Sequence, residues 1–99
     1  MLTVGSPGRH MNRIHLIVHG RVQGVGFRHF VTREARALDL AGTVRNRPDG
    51  TVEVEAEGGP GALAQLVAAV RRGPIGARVE HVEEGLSEGA PRHRGFHSA

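Results

Sequence analysis

The stretch AGTVRNRPDGTVEVEAE, residues 41–57, leaves its backbone little choice. Residues 51–57 alternate strictly, with Val52, Val54 and Ala56 on one side and Glu53, Glu55 and Glu57 on the other, the period of a strand with one buried face. RPDG (47–50) is a turn by chemistry: Pro48 fixes φ, Asp49 hydrogen-bonds nearby backbone, and Gly50 supplies a positive φ. With AGTVRN (41–46) as the partner strand, the segment is a hairpin around which the rest must be built.

Upstream, Ile14, Leu16 and Val18 alternate with His15, Ile17 and His19, again the pattern of a half-buried strand. Phe27, Phe30, Val31, Ala35 and Leu38 then recur at helical spacing, which puts Arg33, Glu34 and Arg36 outside. That helix is expected to stop near Asp39. Downstream, GGPG (58–61) closes the hairpin strand and opens a second helix, with Pro60 suited to its first turn. Leu63, Leu66, Val67 and Val70 form its apolar stripe, and Arg71 and Arg72 sit where the helix dipole favours positive charge. ARVEHVEE (77–84) reads as another strand, and the polar tail SEGAPRHRGFHSA has Phe96 as its anchor in a short edge strand. The order β-α-β-β-α-β, with one apolar face on each helix, predicts an α+β fold of the ferredoxin-like split βαβ type: an antiparallel sheet with two helices on one face. Ninety-nine residues supply one core. Residues 1–11 lack the apolar centre of a secretion signal and are expected to be a flexible N-terminal tail, with Met11 a candidate start, leaving 12–99 as the domain.

The absence of cysteine excludes a disulfide framework, a thiolate nucleophile and cysteine-based zinc or iron–sulfur sites, and fits a cytoplasmic setting. No apolar run approaches the length of a membrane span. Charge is uneven: residues 1–50 hold eight Arg against three acidic residues, a balance of +5, and residues 51–99 hold five Arg against seven, a balance of −2. The first half is therefore the anion-friendly half. All thirteen basic residues are Arg, a blanket preference that weakens any single Arg as a sign of specific chemistry. The seven His do not form a chelate by spacing. His15 and His19 share a strand face but lie ~13 Å apart, His29 faces out beside the first helix start, and His93 and His97 belong to the tail. No metal and no cofactor are expected.

Between the first strand and first helix lies HGRVQGVGFRHF, residues 19–30, with Gly20, Gly24 and Gly26. Free backbone before a helix lets N–H groups converge on an anion, and the helix start adds its own unpaired donors. The same glycines also suit an ordinary strand-to-helix turn with no ligand. Arg28 bears on the choice. A cation in the first helical turn opposes the dipole at about 0.3–1 kcal/mol, a cost that a bound phosphate turns into a gain through paired guanidinium donors. The GK[ST] ending of a nucleoside triphosphatase loop is missing, so such an anion would be handled without a metal.

GRVQGVGFRHFVTREARAL followed by GTVRNRPDGTVEVEAEG resembles the acylphosphatase family, small metal-free enzymes that hydrolyse acyl phosphates. The resemblance runs from about residue 13 to the end and weakens after residue 84. It implies that the backbone of Arg21, Val22, Gln23, Gly24, Val25 and Gly26 cradles the phosphoryl group. It further implies that Arg28 pairs with the phosphoryl oxygens and that Asn46 holds the attacking water. The side chains of Arg21 and Gln23 are expected to be solvated. Alone, an Asn beside a hairpin often bonds its own backbone; with the loop and Arg28 in a split βαβ frame, Asn46 can end beside the loop. An acyl phosphate expels a carboxylate, so no general acid is needed, and a loose transition state asks mainly for positioning and charge stabilisation. Two departures stand out: Asp39, less comfortable in a left-handed cap, stands where the family usually has Gly after the first helix, and the chain ends His97-Ser98-Ala99 where the family's last strand is more apolar and basic. The expected partner is a small acyl phosphate, with no nucleic acid and no membrane, and the chain is expected to be a monomer. The RNA-recognition motif shares this element order but stacks bases on sheet aromatics, which IHLIV, GTVRN and TVEVE lack. A phosphate-sensing domain of the same fold would bind the anion and turn nothing over.

Overall fold

The computed structural model describes residues 11–99. They form β1 (Met11–Arg21), α1 (Phe27–Ala37), β2 (Ala41–Asn46), β3 (Val52–Gly58), α2 (Pro60–Arg72), β4 (Arg78–Gly89) and β5 (Phe96–Ser98). The sheet order is β4-β1-β3-β2-β5. The hairpin pairs Val44 with Val54 and Asn46 with Val52. β1 fits between β3 and β4, antiparallel to both. Ile14, Leu16, Val18, Val44, Val52 and Val54 supply the sheet side of the core. Phe27, Phe30, Val31 and Ala35 of α1 and Leu63, Leu66 and Val70 of α2 close it from the other side. The ferredoxin-like α+β expectation holds, with two helices packed on one sheet.

Three boundaries differ from the sequence reading. The sheet is mixed rather than purely antiparallel, because β5 runs parallel to β2, with Phe96 beside Gly42 and Ser98 beside Val44. β4 continues to Gly89, matching β1 along its length until Gly89 faces Met11. Met11 is thus a strand residue, and residues 1–10 of the expected tail lie outside the described residues. Among the described residues, no helix is long and apolar enough to cross a membrane.

The local chemistry explains the ends of the elements. The Gly50 N–H donates to the Arg47 carbonyl at 3.1 Å, and the Asp49 carboxylate accepts from both the N–H and the hydroxyl of Thr51. Those Thr51 bonds hold the Asp49 pKa below its usual value. α1 ends near Asp39, which adopts φ 58° while the Leu40 N–H reaches back to the Ala35 carbonyl at 2.9 Å. At the other end of α1's connection to the sheet, the register of β1 against β4 shifts between His19 and Gly20. A Cβ on Gly20 would lie 2.1 Å from the Arg78 carbonyl oxygen, so only glycine lets β1 turn there into the loop.

The face of the sheet opposite the helices carries a buried ion pair. Arg13 is 4% exposed and Glu57 is 1% exposed. Arg13 donates to Glu57 Oε2 through Nε at 3.1 Å and Nη2 at 2.9 Å, and through Nη2 to the Ala90 carbonyl at 2.8 Å. Glu57 Oε1 accepts the Arg92 and His93 backbone N–H groups, both at 2.8 Å. This clamp fixes the segment that leads into β5. Burial pushes the Glu57 carboxyl up, but the Arg92 and His93 N–H groups and Arg13 outweigh it, leaving the pKa below the usual value. A depressed carboxylate pKa gives stability that is complete above the unfolded value, ~4.3, and is lost as pH falls through the folded value. Glu57→Gln is expected to cost about 3–5 kcal/mol at pH 7, since it strands a buried guanidinium. Urea unfolding at pH 7 and at acid pH checks this: the gap between wild type and variant should shrink on acidification.

Candidate active site

The site grows from the point where β1 gives out. Val22, 1% exposed, anchors the start of the loop in the core, while Gly24 and Gly26 take φ of 73° and 76°. Gly26 is the N-cap of α1 and offers no side-chain acceptor to the first-turn N–H groups. Those donors and the dipole's positive end therefore face the loop. No acidic residue stands in that first turn. Arg28 does, exposed, with Nη1 donating to the Ala99 backbone oxygen at 3.0 Å.

Asn46 closes β2 and lines the same cleft as Gly24, Gly26 and Arg28, a space of about 560 Å³. Its Oδ1 is buried and has no hydrogen-bond partner among the described residues. Leaving a buried acceptor unpaired costs about 1–3 kcal/mol. Such an atom in a cleft marks a place built for something other than stability.

Of the loop residues singled out from sequence, Val22, Gly24 and Gly26 line the cleft. Arg21 is the last residue of β1, exposed and opposite Arg78, and Val25 packs half-buried against the core. Gln23 corrects an expectation, because its side chain is not simply solvated. Its Nε2 donates to the Arg47 carbonyl at 2.8 Å and to the Thr51 carbonyl at 2.9 Å. Both carbonyls sit at the base of the turn that follows Asn46, so Gln23 ties the loop to the strand end carrying the carboxamide.

The cleft also takes residues that the sequence reading left outside, among them His29, Thr32, Arg36 and His97. Helical spacing alone puts Arg36 on the solvent side of α1. β5 then lies alongside, and Arg36 Nε donates to the Phe96 carbonyl at 3.0 Å. Other histidines are engaged elsewhere. His15 meets Glu53 at 2.5 Å, His19 meets Glu83 at 2.5 Å, and His93 meets Glu55 at 2.7 Å. The His15 bond is the main cause of a lowered Glu53 pKa. Among the described residues, no group of three or more His, Asp or Glu stands close enough to share a metal ion. All three Phe are in the core, so none of them is presented on the open sheet face.

The acylphosphatase family model matches residues 14–98, which include the loop, Arg28, Asn46 and β5. The chain belongs to the acylphosphatase family. An acylphosphatase of Salinibacter ruber is 51% identical over 84 residues, covering 85% of this chain and 88% of that one. Another from Azorhizobium caulinodans is 48% identical over 86 residues, covering 87% and 92%. The crystal structure of acylphosphatase from Bacillus subtilis superposes with a TM-score of 0.86 at 43% identity, covering 89% of this chain and 98% of that one. In this acylphosphatase-family chain, the cleft is thus walled by the loop and α1 on one side and by the ends of β2 and β5 on the other.

Proposed function

We propose that this chain hydrolyses acyl phosphates to a carboxylate and inorganic phosphate without a metal ion. The loop backbone of residues 21–26 and Arg28 hold the phosphoryl group, and Asn46 holds the attacking water. The observation that carries the reading is the partnerless, buried Asn46 Oδ1 on the same cleft as the glycine loop and Arg28. A water donating one O–H to that oxygen has its lone pair free for phosphorus. As the new O–P bond forms, the bond from phosphorus to the acyl oxygen breaks, and its electron pair leaves on the carboxylate. The water's proton passes to a phosphoryl oxygen, so no side-chain base is required.

The protein's work is then electrostatic. In a loose transition state, charge spreads over the equatorial phosphoryl oxygens. Backbone N–H groups fixed by the loop and the α1 start meet that charge without reorganising, each such donor being worth about 3–4 kcal/mol. The guanidinium of Arg28 adds a fork whose geometry matches two phosphoryl oxygens. Release of inorganic phosphate from benzoyl phosphate, with a chelator present, tests the reading. Steady turnover unaffected by the chelator is expected; phosphate binding with no turnover would leave only a sensing domain.

Gln23 gives a further check on how the two halves of the site are held together. Gln23→Ala removes both bonds to the hairpin base. It is expected to lower kcat by roughly 10²-fold, the cost of about 1 Å of misplacement. It should also lower stability by about 2 kcal/mol, for two hydrogen bonds. Steady-state kinetics and urea unfolding read the two effects separately.

A further inference from the structure

We propose that the cleft selects acyl phosphates whose acyl chain ends in a second carboxylate, and that Arg36 binds that distal group. The inference rests on the acyl phosphate reading and names the substrate class of the same site. Arg28 and Arg36 both line the cleft. Eight residues of helix separate them, which is ~12 Å along the axis at 1.5 Å per residue. Two arginines rooted so far apart along one helix suit the two ends of a short diacid better than a single phosphoryl group. The cleft, at about 560 Å³, has room for such a chain beyond the loop.

Its chemistry agrees. No Asp or Glu lines the cleft, so no acidic side chain within it neutralises Arg36. Arg36 uses Nε on the Phe96 carbonyl, which fixes the plane of the guanidinium, and among the described residues no carboxylate pairs with it. The two terminal amino groups are thereby presented as a fork for a planar carboxylate. Thr32, His97 and Ser98 add polar groups to the same lining. Val22 and Phe27 give the cleft some apolar surface, and Arg36 adds a charge there that an uncharged acyl group leaves unused.

The test compares succinyl phosphate with butyryl phosphate, which has the same chain length and ends in a methyl group. Release of inorganic phosphate gives kcat/KM for each. Wild type is expected to favour succinyl phosphate about tenfold, the effect of one charge-assisted contact, and added salt should narrow the preference. Arg36→Gln should bring the ratio close to one, and Arg36→Lys should restore part of it. A purely structural role through the Phe96 carbonyl would slow both substrates alike and leave the ratio unchanged. Equal kcat/KM in wild type, or a ratio unmoved in Arg36→Gln, would overturn the inference while leaving hydrolysis itself standing. Hydrolysis of neither substrate would overturn the acyl phosphate reading, and this inference with it.

Discussion

Asn46→Ala is expected to lower kcat on benzoyl phosphate by about 10³-fold while phosphate still inhibits with a nearly unchanged constant. On the proposed mechanism the carboxamide touches the water and not the phosphoryl group, so its loss removes positioning and leaves the cradle in place. The magnitude is that of deleting one preorganised polar group aimed at the reacting centre. Stability should move the other way. A buried acceptor without a partner costs about 1–3 kcal/mol, and Ala at this half-buried strand end removes that cost. A variant that loses turnover yet unfolds at equal or higher urea concentration would identify Asn46 as a residue kept for chemistry. Wild-type kcat in Asn46→Ala would mean that the water is held elsewhere.

Arg28→Ala is expected to remove more, about 10³–10⁵ in kcat, the range known for an arginine meeting phosphoryl transition-state charge. Here phosphate binding should weaken as well, since on the proposed mechanism the guanidinium contacts the bound anion directly. The paired loss, in kcat and in phosphate inhibition, separates Arg28 from Asn46. Arg28→Lys should rescue little, because an ammonium lacks the planar fork. The fold should tolerate either change. The variant loses one bond to the Ala99 backbone oxygen, but Ala also relieves the first helical turn of an opposed charge, about 0.3–1 kcal/mol.

Much of this was legible before any coordinates. The strict alternation of residues 51–57 and the RPDG turn forced the hairpin, and the apolar stripes of α1 and α2 forced both helices onto one face. The long end of β4 was not legible. Residues 85–89 carry no alternation, and Leu86 is 81% exposed. An edge strand there is held by its backbone ladder to β1 and needs no side-chain pattern. The direction of β5 was hidden for a related reason. The segment before it is held by the Arg13–Glu57 clamp, whose partners lie far apart in the chain and meet only in the folded sheet. In the site, glycines before a helix and an Arg in its first turn broke local rules visibly. Gln23 broke none, because its partners are two backbone carbonyls across the hairpin. Arg36 was invisible because the polar side of a helix reads the same whether it faces solvent or a cleft.

Titration of the isotopically labelled protein with inorganic phosphate, followed through its backbone and carboxamide N–H resonances, tests the central geometry most directly. Saturable shifts should concentrate at residues 22–28, with a smaller one at the Asn46 carboxamide; they should survive Asn46→Ala and fade in Arg28→Ala. Saturable binding that leaves the amides of residues 22–28 unmoved, or that shifts a distant surface instead, would contradict a phosphoryl cradle in this loop.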